Sequence, residues 1–130
     1  LFRSTGTHEP VMGFAVPSEA DSTVKQSDAY CRQFETWISE QPADGIAWRE
    51  RMAAGRSDLN DVLPNINVPV AVICGDKDPS SPPAVMKPVA DAMTKTDVTM
   101  TVIDDCGHFS AYEHPDQVAA ALLELVKRVG

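Results

Sequence analysis

At 130 residues the chain is long enough for one domain with a modest core. Apolar residues make up 43% of it, and a mean hydropathy of −0.18 with no apolar run near membrane-spanning length is the composition expected of a soluble globular protein. A net charge of −8, scattered without blocks of one sign, excludes a nucleic-acid surface, which needs a basic face.

The chain begins at Leu1 rather than Met, so its start is expected to be internal or processed. Leu1 and Phe2 fit the tail of a strand, followed by a polar loop in which His8 is a surface histidine. Val11 to Ser22 is a connection interrupted by Gly13 and Pro17. From Ser22 the pattern turns helical: Val24, Ser27, Tyr30, Cys31, Phe34, Trp37 and Ile38 recur at three- and four-residue steps. Ser22 or Thr23 is the expected cap and Gln41-Pro42 the stop. A second helix is predicted from Gly45 to Ala54, carrying Ile46, Trp48 and Met52, and Ser57 caps a further turn before Pro64. The aromatic residues here are expected to pack a core between short helices. A wall facing substrate is the alternative use of Trp37 and Trp48.

Val68 to Cys74 (VPVAVIC) is a continuous β-branched run, as suits a strand buried on both faces of a parallel sheet. Pro69 belongs near its start, where a missing donor does least harm. A helical segment follows Ser80-Ser81-Pro82-Pro83, with Pro88 forcing a kink or restart. Val98 to Ile103 (VTMTVI) is the second strand, and Pro115 opens the last helix. Val118, Leu122, Leu125, Val126 and Val129 form the expected apolar stripe of that helix, with Lys127 and Arg128 off it. Strand, helix, strand, helix implies a right-handed crossover and a parallel pair covered by helices, an α/β fold. Cys31, Cys74 and Cys106 are an odd number without CxxC spacing, which argues against a disulfide framework or a zinc site and favours a cytoplasmic location.

Both apolar strands end in short loops carrying ionisable residues, where sites form in open parallel sheets. Asp76 and Asp78 follow the first and His108 the second. A histidine that serves as a base needs its other ring nitrogen held by an acceptor, and a carboxylate on a separate loop meets that need. Asp78 is the favoured acid, with Asp76 read as a solvent-facing loop residue. A structural reading of Asp78 also exists, as a turn aspartate bonded to its own backbone. Cys106 stands too close to His108 on the same loop to be its nucleophile. Glu113 is expected to serve the start of the last helix, and His114 to be exposed. Phe109 either lines a pocket or packs in the core.

Ile66-Asn67-Val68-Pro69-Val70, Gly75-Asp76-Lys77-Asp78-Pro79 and Asp105-Cys106-Gly107-His108-Phe109, in that order, resemble the last strands of the α/β-hydrolase fold. Glu113-His114-Pro115 and the closing helix are similar to that family's usual ending. The resemblance implies that Asp78 is the triad acid and His108 the base. It also implies that residues 1–64 are the end of a core strand and a helical cap segment, and that residues 65–130 are the carboxy-terminal part of the core. Phe109, Trp37 and Trp48 are the candidate substrate contacts from the reading above, and no metal or organic cofactor is implied. The family's nucleophile sits in a Gly-x-Ser-x-Gly elbow, which does not occur here; Ser4-Thr5-Gly6 is not one. The implied partners are therefore a small-molecule substrate and an amino-terminal chain or segment bearing the elbow, and this chain alone is expected to be inactive. Carboxylic esters or lactones are the implied substrates. Epoxide hydrolases and dehalogenases of the same fold, a hydrolase-like receptor without turnover, and a nucleotide-binding domain are the alternatives. The last would need a glycine-rich phosphate loop after a strand, and the sequence has neither GxGxxG nor GxxxxGK(S/T).

Overall fold

The computed structural model describes residues 8–130. The strand tail predicted at Leu1 and Phe2 and the Ser4-Thr5-Gly6 loop lie outside the described residues. Contacts divide the chain into two units, Leu1–Glu19 with Lys25–Asp58, and Ala20–Val24 with Leu59–Gly130.

The first unit holds a 3-10 turn (Glu9–Phe14) and two helices, α1 (Asp28–Ser39) and α2 (Ala43–Ala54). Ser27 caps α1 through its hydroxyl, which accepts the Tyr30 N–H at 3.2 Å. The helix therefore starts later than predicted, because Ser22 and Thr23 belong to the other unit. Tyr30, Phe34 and Ile38, spaced by four, form its buried stripe, and α1 packs on the 3-10 turn that buries Val11 and Ala15. The Tyr30 and Phe34 rings stack with centroids 4.2 Å apart, and Trp37 meets Phe34 edge-on at 5.2 Å. The expected packing fails for α2, which buries none of its residues and leaves Trp48 and Met52 exposed. His8 is tied rather than loose: its Nε2 lies 2.6 Å from the Gln41 carbonyl.

The second unit is built on β1 (Val70–Gly75) and β2 (Val98–Ile103), which pair in parallel from Val70 opposite Val98 to Gly75 opposite Ile103. β1 starts two residues later than predicted because Pro69 has no N–H to give. The first ladder donor is Val70, whose N–H reaches the Asp97 carbonyl at 3.1 Å. Helix α3 (Pro83–Ala92) makes the crossover and runs through Pro88 without the expected restart. It covers one face of the sheet, where Val72, Ala90 and Met93 form the buried centre with Val70, Met86, Val89 and Met100 around them. A single turn, α4 (Ser110–Glu113), leads into α5 (Pro115–Val129), which packs on β1.

The predicted stripe of α5 needs correction. Val118 and Leu125 turn inward, but Leu122, Val126 and Val129 are exposed. Arg128, expected on the solvent side, turns to the sheet instead. Its Nη2 donates to the Val70 carbonyl and the Thr99 hydroxyl, both at 2.9 Å.

Candidate active site

The site is assembled at the carboxyl ends of β1 and β2, where two loops are laced together by backbone bonds. Asp76 N–H reaches the Ile103 carbonyl at 3.0 Å, and Lys77 N–H reaches the Cys106 carbonyl at 2.9 Å. The loops approach so closely that a Cβ on Gly75 would lie 2.0 Å from the Cys106 oxygen, so only glycine fits there. Asp76 is exposed, as expected of a solvent-facing loop residue, and its Oδ1 also accepts the Cys106 N–H at 3.0 Å. Asp105 takes a positive φ of 52° and receives Lys77 Nζ at 2.7 Å.

Asp78 and His108 meet on this scaffold. His108 Nδ1 lies 3.0 Å from Asp78 Oδ2 and 3.1 Å from Oδ1. Asp78 is 6% exposed, whereas the His108 side chain is 45% exposed. A carboxylate accepts only, so Nδ1 carries the donated proton and Nε2 is left as the ring's acceptor. Asp78 is simultaneously a turn aspartate, because its Oδ1 accepts the Ser80 N–H at 2.9 Å and the Ser81 N–H at 3.1 Å. The two sequence readings of Asp78 are therefore compatible. Burial pushes its pKa up, but the bonds from the Ser80 amide, His108, the Ser81 amide and the Ser80 hydroxyl together outweigh burial and hold it below the ordinary value. Asp78 is accordingly ionised at neutral pH.

Ser80 was not legible as a site residue. Its hydroxyl lies 2.9 Å from Asp78 Oδ1 and 3.0 Å from His108 Nδ1, which it can join as a donor to the first and an acceptor from the second. The only signal was its place two residues after the acid, where turn aspartates find a partner. Glu113 departs from its expected role. It is buried at 6% exposure, and its carboxylate accepts the Gly107 N–H at 2.7 Å and the Phe109 N–H at 3.2 Å. His114 is partly buried, and its Nε2 lies 3.1 Å from the Asp105 carbonyl.

The other candidates are placed as follows. Phe109 is half-buried and meets the His108 ring edge-on at 5.3 Å. Trp37 and Trp48 lie on α1 and α2 of the helical unit, 43% and 59% exposed. Cys106 is fully buried, and burial, followed by the Glu113, Asp76, Asp78 and Asp105 charges, pushes its thiol up to about 12. A thiol so protonated at neutral pH is no nucleophile.

A parallel sheet flanked by helices, with a carboxylate and an imidazole meeting on the loops beyond neighbouring strands, defines the class as α/β hydrolase-like. The chain belongs to the alpha/beta hydrolase family, whose sequence model matches residues 4–121. A search of curated protein sequences returned no match. Among solved structures, a thermophilic esterase from Thermogutta terrifontis is 27% identical with a TM-score of 0.77, covering 94% of this chain and 43% of its own. An esterase from Exiguobacterium antarcticum is 17% identical with a TM-score of 0.65, over 92% of this chain and 41% of its own. An N-acyl homoserine lactone degrading enzyme is 20% identical with a TM-score of 0.66, over 90% and 46%. The last two likenesses are of fold. The chain thus spans less than half the length of each of these structures.

Proposed function

We propose that this chain supplies the acid and base of a hydrolase acting on carboxylic esters or lactones, with the nucleophile carried on a segment outside it. The observation that carries the proposal is the bond from His108 Nδ1 to the buried, ionised Asp78. Asp78 fixes the ring with Nε2 as its proton acceptor and stabilises the imidazolium once it forms. His108 then takes a proton from the attacking hydroxyl and returns it to the leaving alcohol. The 45% exposure of the ring leaves it reachable by a nucleophile, as a base must be.

The substrate class follows the esterase and lactone-degrading neighbours and so rests on likeness of fold. The external nucleophile is argued from two facts: no Gly-x-Ser-x-Gly occurs in the sequence, and the chain spans 43% of the Thermogutta esterase. On this reading residues 1–64 are the cap segment and end of a core strand, and the substrate is a small molecule. Trp37, Trp48 and Phe109 are its proposed contacts.

The test is to join or mix the chain with its nucleophile-bearing segment and follow hydrolysis of an activated ester. Turnover is expected to appear, and Asp78→Asn or His108→Ala to lower kcat by about 10²–10⁴-fold. Undiminished turnover in His108→Ala would refute the assignment. A segment with alanine or glycine in place of the nucleophile would favour the non-catalytic receptor instead.

A further inference from the structure

Glu113 is an ionisable side chain buried at 6% exposure that the proposed proton transfers do not use. Its two oxygens act on either side of the candidate base. Oε2 accepts the amide of Gly107, and Oε1 accepts the amide of Phe109. The Gly107-His108 dipeptide lies between the planes of those two amides. Phe109 is held from its other end as well, since its carbonyl accepts the Tyr112 and Glu113 amides at 2.8 and 2.9 Å. Gly107 sits so tightly on the carboxylate that a Cβ there would lie 3.0 Å from Oε1. Behind the carboxylate stands Ser22, 0% exposed, whose hydroxyl donates to Oε2 from 91 residues away in sequence.

Backbone amides cannot rotate away from an acceptor as side chains can. A single carboxylate holding both ends of the Gly107-His108 dipeptide limits the backbone torsions between the two held planes, and with them the direction of the His108 Cα–Cβ bond. We propose that Glu113, backed by Ser22, is a positioning residue that aims the His108 ring so that Nδ1 lies on Asp78. The proposal rests on the reading of His108 as the base. Its content is additional: the orientation of that base is set by a carboxylate acting through the backbone amides beside it.

Glu113→Gln tests it while keeping side-chain size. A carboxamide has one acceptor oxygen, and its NH₂ must face a second donor, so one of the two amides loses its partner. In this chain, ring ¹⁵N NMR of His108 is expected to show the Nδ1–H tautomer in the parent and a mixture in Glu113→Gln, with β1–β2 amides still protected from exchange. In the enzyme completed by the nucleophile-bearing segment, kcat is expected to fall about 10- to 100-fold with KM within about twofold. Ser22→Ala, which removes one donor, should move both readouts the same way by less, and it decides the matter if Glu113→Gln does not fold. A folded variant with the parent tautomer and parent kcat overturns the proposal. Failure of the underlying reading is seen separately: turnover would then survive His108→Ala, while the tautomer still reports on Glu113.

Discussion

Asp105 shows how one residue stitches the loops beneath the site. Its left-handed φ of 52° is a conformation that aspartate adopts more readily than most residues. The turn presents its carboxylate to Lys77 Nζ at 2.7 Å and to the Thr23 N–H at 3.1 Å. Lys77 first, and then Thr23, hold its pKa down at about 2. A folded-state value below the ordinary carboxyl value of about 4 means that the contribution is full above that pH. It is lost as pH falls toward about 2. Asp105→Asn removes the charge while keeping the tolerance for positive φ. Urea unfolding of both proteins across this range is expected to show a stability gap that is widest above pH 4 and closes by about pH 2. A gap constant with pH would dismiss the charge as its source. The pairing of Asp78 with His108 was legible because each follows a strand and a glycine-led turn. Glu113 and Ser22 were not, since neither residue carries a local sign of a partner 91 positions away.

The elements that read cleanly are those whose partners are close in sequence or fixed by covalent geometry. β2 matches its predicted limits because a β-branched run bounded by polar residues has few alternatives. α1 ends where predicted but starts later, because Ser22 and Thr23 look like caps but are engaged by Glu113 and Asp105, leaving Ser27 to do the capping. α5 has more apolar positions than one face can bury, so periodicity alone could not choose which of them meets the sheet. What pins that helix is polar at both ends. His114 reaches the Asp105 carbonyl at one end, and Arg128 spans Val70, Thr99 and Asp97 at the other. The planar guanidinium serves Val70 and Thr99 from one nitrogen and the Asp97 carboxylate from another, at 2.8 Å. A lysine cannot reproduce that fork. Arg128→Lys is expected to cost about 1–2 kcal/mol in chemical denaturation. The Asp97 bond is exposed and contributes little of this, so Asp97→Asn should cost well under half as much.

At the scale of the whole molecule, the second unit carries a sheet and a helix with surfaces suited to further chain. Among the described residues the sheet has two strands, so each strand offers a second edge without a neighbouring strand. Leu122, Leu123, Val126 and Val129 of α5 are all exposed, between 48% and 68%. Unpaired edges and contiguous apolar faces favour association. If the proposed nucleophile-bearing segment completes the sheet, it is the natural occupant of both. The chain by itself is then expected to self-associate and to melt broadly, without ester turnover. Adding the segment should give a one-to-one complex in light scattering, with a sharper and higher melting transition. Leu122→Glu with Val126→Glu separates the two kinds of association from simple misfolding. These substitutions should reduce self-association of the isolated chain and weaken capture of the segment by at least about tenfold, a loss of about 1.4 kcal/mol. They should leave the His108–Asp78 pairing, read from the ring ¹⁵N shifts, as it was. A parent chain that is monodisperse as a monomer, melts cooperatively and does not bind the segment would refute the two-part enzyme.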